Sequence, residues 1–167
     1  MRTKRDNTTL KVLIIILSIL LSTGFTTADR QEMAEQNFKI EISYAGLPSF
    51  ITTKYFIDNN ILMVYLTRYN ITKDSFIDFN KLSFQNFEKE KLISFLNRTN
   101  WASIPEKLVT PTIDGYQYSI SIELDESSYS FYIDNTYHPT FDSLFTICNN
   151  IIPNKKVRKK YYLPYSN

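Results

Sequence analysis

Residues 116–124, YQYSISIEL, alternate without a break. Tyr116, Tyr118, Ile120, Ile122 and Leu124 fall on one side of an extended chain; Gln117, Ser119, Ser121 and Glu123 fall on the other. A period of two with one apolar side is a strand half buried in a sheet. A sheet of that kind needs a second layer over its apolar face. The same pattern recurs nearby. Residues 125–128 turn the chain, and Tyr129, Phe131 and Ile133 resume the apolar side. Phe38, Ile40, Ile42 and Tyr44 alternate with Lys39, Glu41 and Ser43, before Gly46 and Pro48 break the run. FITTKYFI (50–57), the turn residues Asp58, Asn59 and Asn60, and ILMVYLTRY (61–69) form a hairpin pattern. Residues 71–84 carry no clear period and receive no assignment.

Two helical stretches supply the cover. Residues 87–97 place Leu92, Ile93 and Leu96 on one stripe, with Asn86 as the expected cap and Glu88 and Glu90 in the dipole-favoured first turn. Trp101, Ile104 and Pro105 follow in a loop. The second helix starts at Pro139, a residue suited to a first helical position. It repeats Phe141, Leu144, Phe145, Cys148, Ile151 and Ile152 at three- and four-residue spacing and ends before Pro153. The expected fold is therefore α+β: an antiparallel sheet of about five strands in the order β-ββα-ββα, with two helices on one face.

The N-terminus has a different character. Arg2, Lys4, Arg5 and Lys11 precede an apolar run over residues 12–21, and Thr26, Thr27 and Ala28 follow. A basic start, a short apolar stretch and small residues make a secretory signal peptide, cleaved after about Ala28. The run is shorter than the roughly 20 residues a membrane span requires. Residues 29–37 read as a linker, 38–154 as one domain, and 155–167 as a basic aromatic tail. The expected location is outside the cytoplasm, periplasmic or extracellular. Few glycines with many Asn, Ile, Lys, Tyr and Phe fit a low-GC bacterial gene.

Charge sorts the possible partners. The whole chain is +2, but residues 29–154 hold ten bases against sixteen acids, a net of −6. Five bases, Lys155, Lys156, Arg158, Lys159 and Lys160, are concentrated in the tail. A body of that charge excludes nucleic acid as the default partner. The tail, which also holds Tyr161, Tyr162, Leu163 and Tyr165, suits contact with an anionic surface. It equally suits a solvated terminus, a final edge strand or folding back on the acidic body, and folding back is the expectation here because its apolar residues are costly to leave in water.

Cys148 and His138 are each the only residue of their kind. Ten residues of continuous helix would hold them roughly 15 Å apart, too far for a nucleophile and its base. Cys148 sits on the apolar stripe and reads as a small buried hydrophobe. His138 reads as a cap or a packing residue. One histidine and no convergent ligand spacing argue against a metal, and no cofactor is implied. The carboxylate pairs Glu88–Glu90 and Asp125–Glu126 lie on a helix surface and in a turn, where nothing tunes their acidity.

Aromatic residues make up 15% of the chain. Most are core by parity, but the polar side of the sheet collects Lys54, Tyr65, Thr67, Gln117, Ser119, Ser121 and Tyr132. Tyrosine among small polar residues on a rigid strand face suits protein recognition. The expected function is a non-enzymatic exported binding protein of the inhibitor, immunity or envelope-assembly type. Its candidate binding residues are Lys54, Tyr65, Tyr132, Asn135, Tyr137 and His138, and its partner is a protein. Two alternatives remain. One is an enzyme centred on the 135–140 loop, with His138 as acid or base and Asp134 or Tyr137 assisting. The other is a surface structural protein held by an uncleaved N-terminal segment.

Overall fold

The computed structural model describes residues 37–46, 51–111 and 115–164. The expected signal peptide, most of the linker, Pro48, Phe50, Asp114 and Tyr165 lie outside the described residues. Among those described, seven strands form one sheet and three helices accompany it: β1 (Phe38–Gly46), β2 (Ile51–Asp58), β3 (Leu62–Asn70), β4 (Ser75–Phe84), α1 (Glu90–Arg98), β5 (Lys107–Val109), β6 (Tyr116–Leu124), β7 (Ser127–Asp134), α2 (Pro139–Ile151) and α3 (Lys155–Lys160). The strand order is β4-β3-β2-β1-β6-β7-β5. Every pair is antiparallel except β5 with β7. The α+β class stands; the count of about five strands and the β-ββα-ββα order do not.

Three apolar rows cross the sheet on its inner side. Leu62, Ile57, Ile40, Ile122 and Tyr129 pair in succession; so do Val64, Tyr55, Ile42, Ile120 and Phe131; so do Leu66, Thr53, Tyr44, Tyr118 and Ile133. Burying a side chain such as these isoleucines stabilises by about 1.5–3 kcal/mol each. Helix α2 packs over them. Phe145 stacks on Tyr118 at 4.4 Å between ring centroids, and Phe141 meets Phe131 edge-on at 5.1 Å. Trp101 opens a 3₁₀ turn (Trp101–Ser103) after α1 and is buried, its Nε1 donating to the Leu96 carbonyl at 3.0 Å. Leu92, Ile93 and Leu96 of α1 are buried as expected.

Local differences from the sequence reading have local causes. Helix α1 begins at Glu90, after Lys89 rather than Asn86, and no side chain caps it; the chain up to Phe84 is still in β4. The unassigned segment is strand β4 itself. It lies at the edge of the sheet and is partly exposed throughout, so its residues show no alternation. Val64 pairs with Leu82 and Leu66 with Phe79, which leaves one extra residue in β4. Asn80 there adopts φ +52°, the left-handed geometry of a bulge. Asp74, Asp125 and Asn135 share that geometry, so in a chain with few glycines Asp and Asn serve the tight turns.

The tail is neither a solvated end nor an edge strand in its described part. Asn154 caps α3 by accepting from the Lys156 and Val157 amides at 2.9 and 3.4 Å. Beyond it, Tyr161 and Leu163 are each 1% exposed. Asn149 of α2 holds them in place: its Oδ1 accepts from the Leu163 amide at 2.9 Å and its Nδ2 donates to the Leu163 carbonyl at 3.0 Å. Tyr55 Oη donates towards the Tyr161 carbonyl at 2.7 Å, with Asn149 Oδ1 at 3.1 Å. Apolar packing and a buried polar network thus dock the tail. Of the lysines, Lys160 sets its ammonium 5.3 Å from the Tyr161 ring centroid; no carboxylate among the described residues pairs with any of them, and the ion pairs seen are those of Lys39 with Glu41 and Glu123.

Candidate functional site

The side chains that alternate with the inner rows form outer rows on the opposite side of the sheet. One row reads Tyr65, Lys54, Ser43, Ser119, Tyr132 and Lys107 across six strands. At about 4.8 Å per strand, Tyr65 and Tyr132 stand roughly 19 Å apart, with small or flexible polar residues between them. The row above reads Thr67, Thr52, Ala45, Gln117 and Asp134; the row below reads Met63, Phe56, Glu41, Ser121 and Ser130. Thr67 is buried rather than available, lying between Thr52 and Asp78 in the ladder.

Each tyrosine of the central row has a fixed setting. Lys81 places its ammonium 5.7 Å from the Tyr65 ring centroid. Burial raises the Tyr65 hydroxyl above its usual range, with help from the charges of Asp78 and Glu41. Tyr132 is raised by desolvation first and then by Asp134, towards whose Oδ2 its hydroxyl donates at 3.5 Å. Both therefore remain neutral donors at physiological pH. Lys39, at the end of the same face, is raised by its hydrogen bonds to Glu41 and Glu123.

The other candidates lie elsewhere. Asn135 sits in the β7–α2 loop, where its Oδ1 accepts from the Tyr116 amide at 2.7 Å and its Nδ2 donates to Asp134 Oδ1 at 2.8 Å. It also fills the space that a Cβ at Gly115 would need. These are bonds that shape a loop. His138 caps α2: its Nδ1 accepts from the Thr140 amide at 3.3 Å, and its ring lies 5.5 Å from that of Phe141. Tyr137 is exposed. The six candidates divide into Lys54, Tyr65 and Tyr132 on the outer row, and Asn135, Tyr137 and His138 in the loop.

An open cleft does adjoin His138. Phe95, Arg98, Thr99 and Asn100 of the α1 end, Ser103 and Ile104, and His138, Pro139, Thr140 and Ser143 of the α2 start line it. Arg98 is the one lysine, arginine or carboxylate residue among the described residues of that lining. The backbone engages His138 Nδ1, so a general acid or base there would act through Nε2. Cys148 is fully buried on α2, and burial pushes its thiol well above the ordinary range, the reverse of an activated nucleophile. Among the described residues no three His, Cys, Asp or Glu side chains converge as a metal site. No helix among them is long and apolar enough to cross a membrane.

Sequence reasoning missed Asn149. It lies four residues after Phe145, and so on the buried side of α2, where an unpaired amide would be costly. A polar residue at that position was the available signal for a partner approaching from outside the helix. Compared with known proteins, the chain matches no family model, and no curated protein is similar to it in sequence.

Proposed function

We propose that the chain is an exported, non-enzymatic binding protein that engages a protein partner through the outer face of its sheet. The observation that carries this reading is the central outer row, in which Tyr65 and Tyr132 bracket Lys54, Ser43 and Ser119 on five adjoining strands. Tyrosine supplies large contact area at small entropic cost, and the serines between the rings add adaptable hydrogen bonding. A rigid sheet keeps these groups in register without a partner, which reduces the ordering cost of association. The roles this reading covers are those of an inhibitor, an immunity protein or an envelope-assembly protein. Export rests on the basic, apolar and small-residue sequence of residues 1–28.

The test is capture of partners from envelope extracts by the wild-type chain and by a Tyr65→Ala/Ser119→Arg/Tyr132→Ala variant. A protein held by the first and released by the second supports the reading. Equal capture by both chains, or turnover of a small substrate that His138→Ala abolishes in a still-folded protein, replaces it with another binding surface or with the enzyme centred on the 135–140 loop.

A further inference from the structure

A second surface follows the β4 edge, where the pair Tyr69 and Phe76 extends the outer face beyond Thr67 and Asp78. At the β3–β4 turn, Ile71 is 87% exposed and Phe76 69% exposed, with Tyr69 beside them. The Tyr69 and Phe76 rings meet edge-on at 5.4 Å, and the Tyr69 hydroxyl bonds to Asp74, which fixes the shape of the tip. Lys73 lies in the same turn. Four residues further along β4, about 13 Å at strand rise, α3 docks on the bulge. Tyr161 Oη donates to the Asn80 carbonyl, and Asn80, Lys81, Leu82, Lys156, Val157, Lys160 and Tyr161 line a common cleft. Lys155, Lys156, Lys159 and Lys160 are exposed on α3, and Tyr162 follows them, 56% exposed.

We infer that this edge docks on an anionic bilayer, with Ile71 and Phe76 entering the interface and the α3 lysines meeting lipid phosphates. Three observations select a membrane over a protein. The apolar residues stand on the tip of a hairpin, which offers little of the roughly 800 Å² that a stable protein interface covers on each partner but suits insertion between headgroups. Lysine is depleted from protein interfaces, yet each lysine near an anionic leaflet strengthens binding about five-fold. The body, residues 29–154, has a net charge of −6, so an anionic surface repels most of the molecule and favours approach through α3. Docking of Tyr161 and Leu163 makes this possible, because it anchors the lysines to the edge of the sheet instead of leaving them on a loose chain.

The experiment is co-sedimentation of the full chain with phosphatidylcholine vesicles and with vesicles that also contain phosphatidylglycerol, at low and high salt. Binding to the neutral vesicles measures what the apolar residues 12–21 and the hairpin tip contribute without the lysines, and is common to the wild type and the lysine variants. The wild type should show an added, salt-sensitive affinity for the anionic vesicles. Lys155→Gln/Lys156→Gln/Lys159→Gln/Lys160→Gln should lower that affinity by roughly 600-fold, nearly three orders of magnitude, and Ile71→Ser/Phe76→Ser should weaken binding at both salt concentrations. Lys54→Gln/Lys91→Gln/Arg98→Gln/Lys107→Gln removes the same charge from other surfaces and should leave most of the increment. Equal loss in that control, or no difference between the two vesicle types, overturns the inference. So does a concentration-dependent dimer that Ile71→Ser/Phe76→Ser abolishes while vesicle binding persists, since the tip would then serve a second copy of the chain.

Discussion

The two faces of the sheet are made by the same strands and do different work. In β1, Ile40 and Ile42 face the helices, while Lys39, Glu41 and Ser43 face away; in β6, Tyr118, Ile120 and Ile122 face in, while Ser119, Ser121 and Glu123 face out. The covered face is continuous, apolar and locked by aromatic stacking and the tail network. The other presents short hydroxyls, single charges and two tyrosines. Because alternate residues serve alternate faces, side chains on the outer side can vary without altering the packing on the other. The difference also separates the candidate residues. Those on the outer row carry little of the fold, whereas Asn135 and His138 in the loop spend their side chains on backbone bonds.

The largest test of that division falls on the covered face. Deleting residues 161–167 removes two fully buried side chains, Tyr161 and Leu163, each worth about 1.5–3 kcal/mol. It also strips Asn149 of its Leu163 partners, at about 1–3 kcal/mol for a buried polar group left unpaired. The expected loss is about 4 kcal/mol or more in a denaturant melt, a large share of the stability of any domain this size. An unchanged midpoint would mean that the tail is not part of the core.

Next in size is Phe145→Ala. It removes the ring stacked on Tyr118 at 4.4 Å and should cost about 3–5 kcal/mol by cavity formation. Urea unfolding monitored by circular dichroism reads it directly. A loss under about 1 kcal/mol would show that α2 repacks and that the covered face is looser than its stacking geometry implies.

What could be read from the sequence follows the same contrast. Strands β1, β6 and β7 were legible because one face of each is buried, and burial is what imposes a period of two; β2 and β3 were legible as a hairpin around the turn residues Asp58, Asn59 and Asn60. Strand β4 has an open edge and a bulge at Asn80, so its apolar residues fall on both sides and the period disappears. Strand β5 has three residues and pairs in parallel with β7; neither property leaves a pattern at so short a length. The outer row was legible as a set of residues, since parity alone places Lys54, Tyr65 and Tyr132 together. Its alignment into one row was not, because register depends on pairings between strands distant in sequence. The docking of the tail was expected from its apolar content alone; its partners Tyr55 and Asn149 lie 106 and 14 residues from the tail positions they hold, a relation no local window contains.

A smaller effect concerns pH. Burial raises the Cys148 thiol and the Tyr55 hydroxyl in the folded protein. Unfolded, they ionise near about 8.5 and 10. The stability these groups contribute is therefore fully present below those unfolded values and is lost as pH rises towards the folded ones. Above about pH 8.5 the unfolded chain gives up the Cys148 proton while the folded chain keeps it. Stability should then fall by up to about 1.4 kcal/mol per pH unit for each group so affected. In Cys148→Ala the decline should begin near pH 10 instead, which urea melts across pH 7–10.5 would show as a later break. A break unmoved by the substitution would place the cause in another group.

The smallest effect on stability belongs to the outer row, and there the expected result is near silence. Tyr65→Ala, Ser119→Arg and Tyr132→Ala remove no ring from the inner face, and none is among the buried core residues. Substitutions of that kind usually stay within about 0.5 kcal/mol. Tyr65 is the more exposed to doubt, since it is half-buried and carries the Lys81 ammonium over its ring; an exposed cation–π contact is worth about 0.5–1 kcal/mol. The single variants should therefore rank Tyr65→Ala as the most destabilising, with Tyr132→Ala and Ser119→Arg nearly neutral. Single-variant melts decide the matter before any partner is known. A loss of about 2 kcal/mol at Tyr132 or Ser119 would show that the outer face is covered and structural, and partner release by the triple variant would then report unfolding rather than recognition. Near-neutral melts make the same release a measurement of binding.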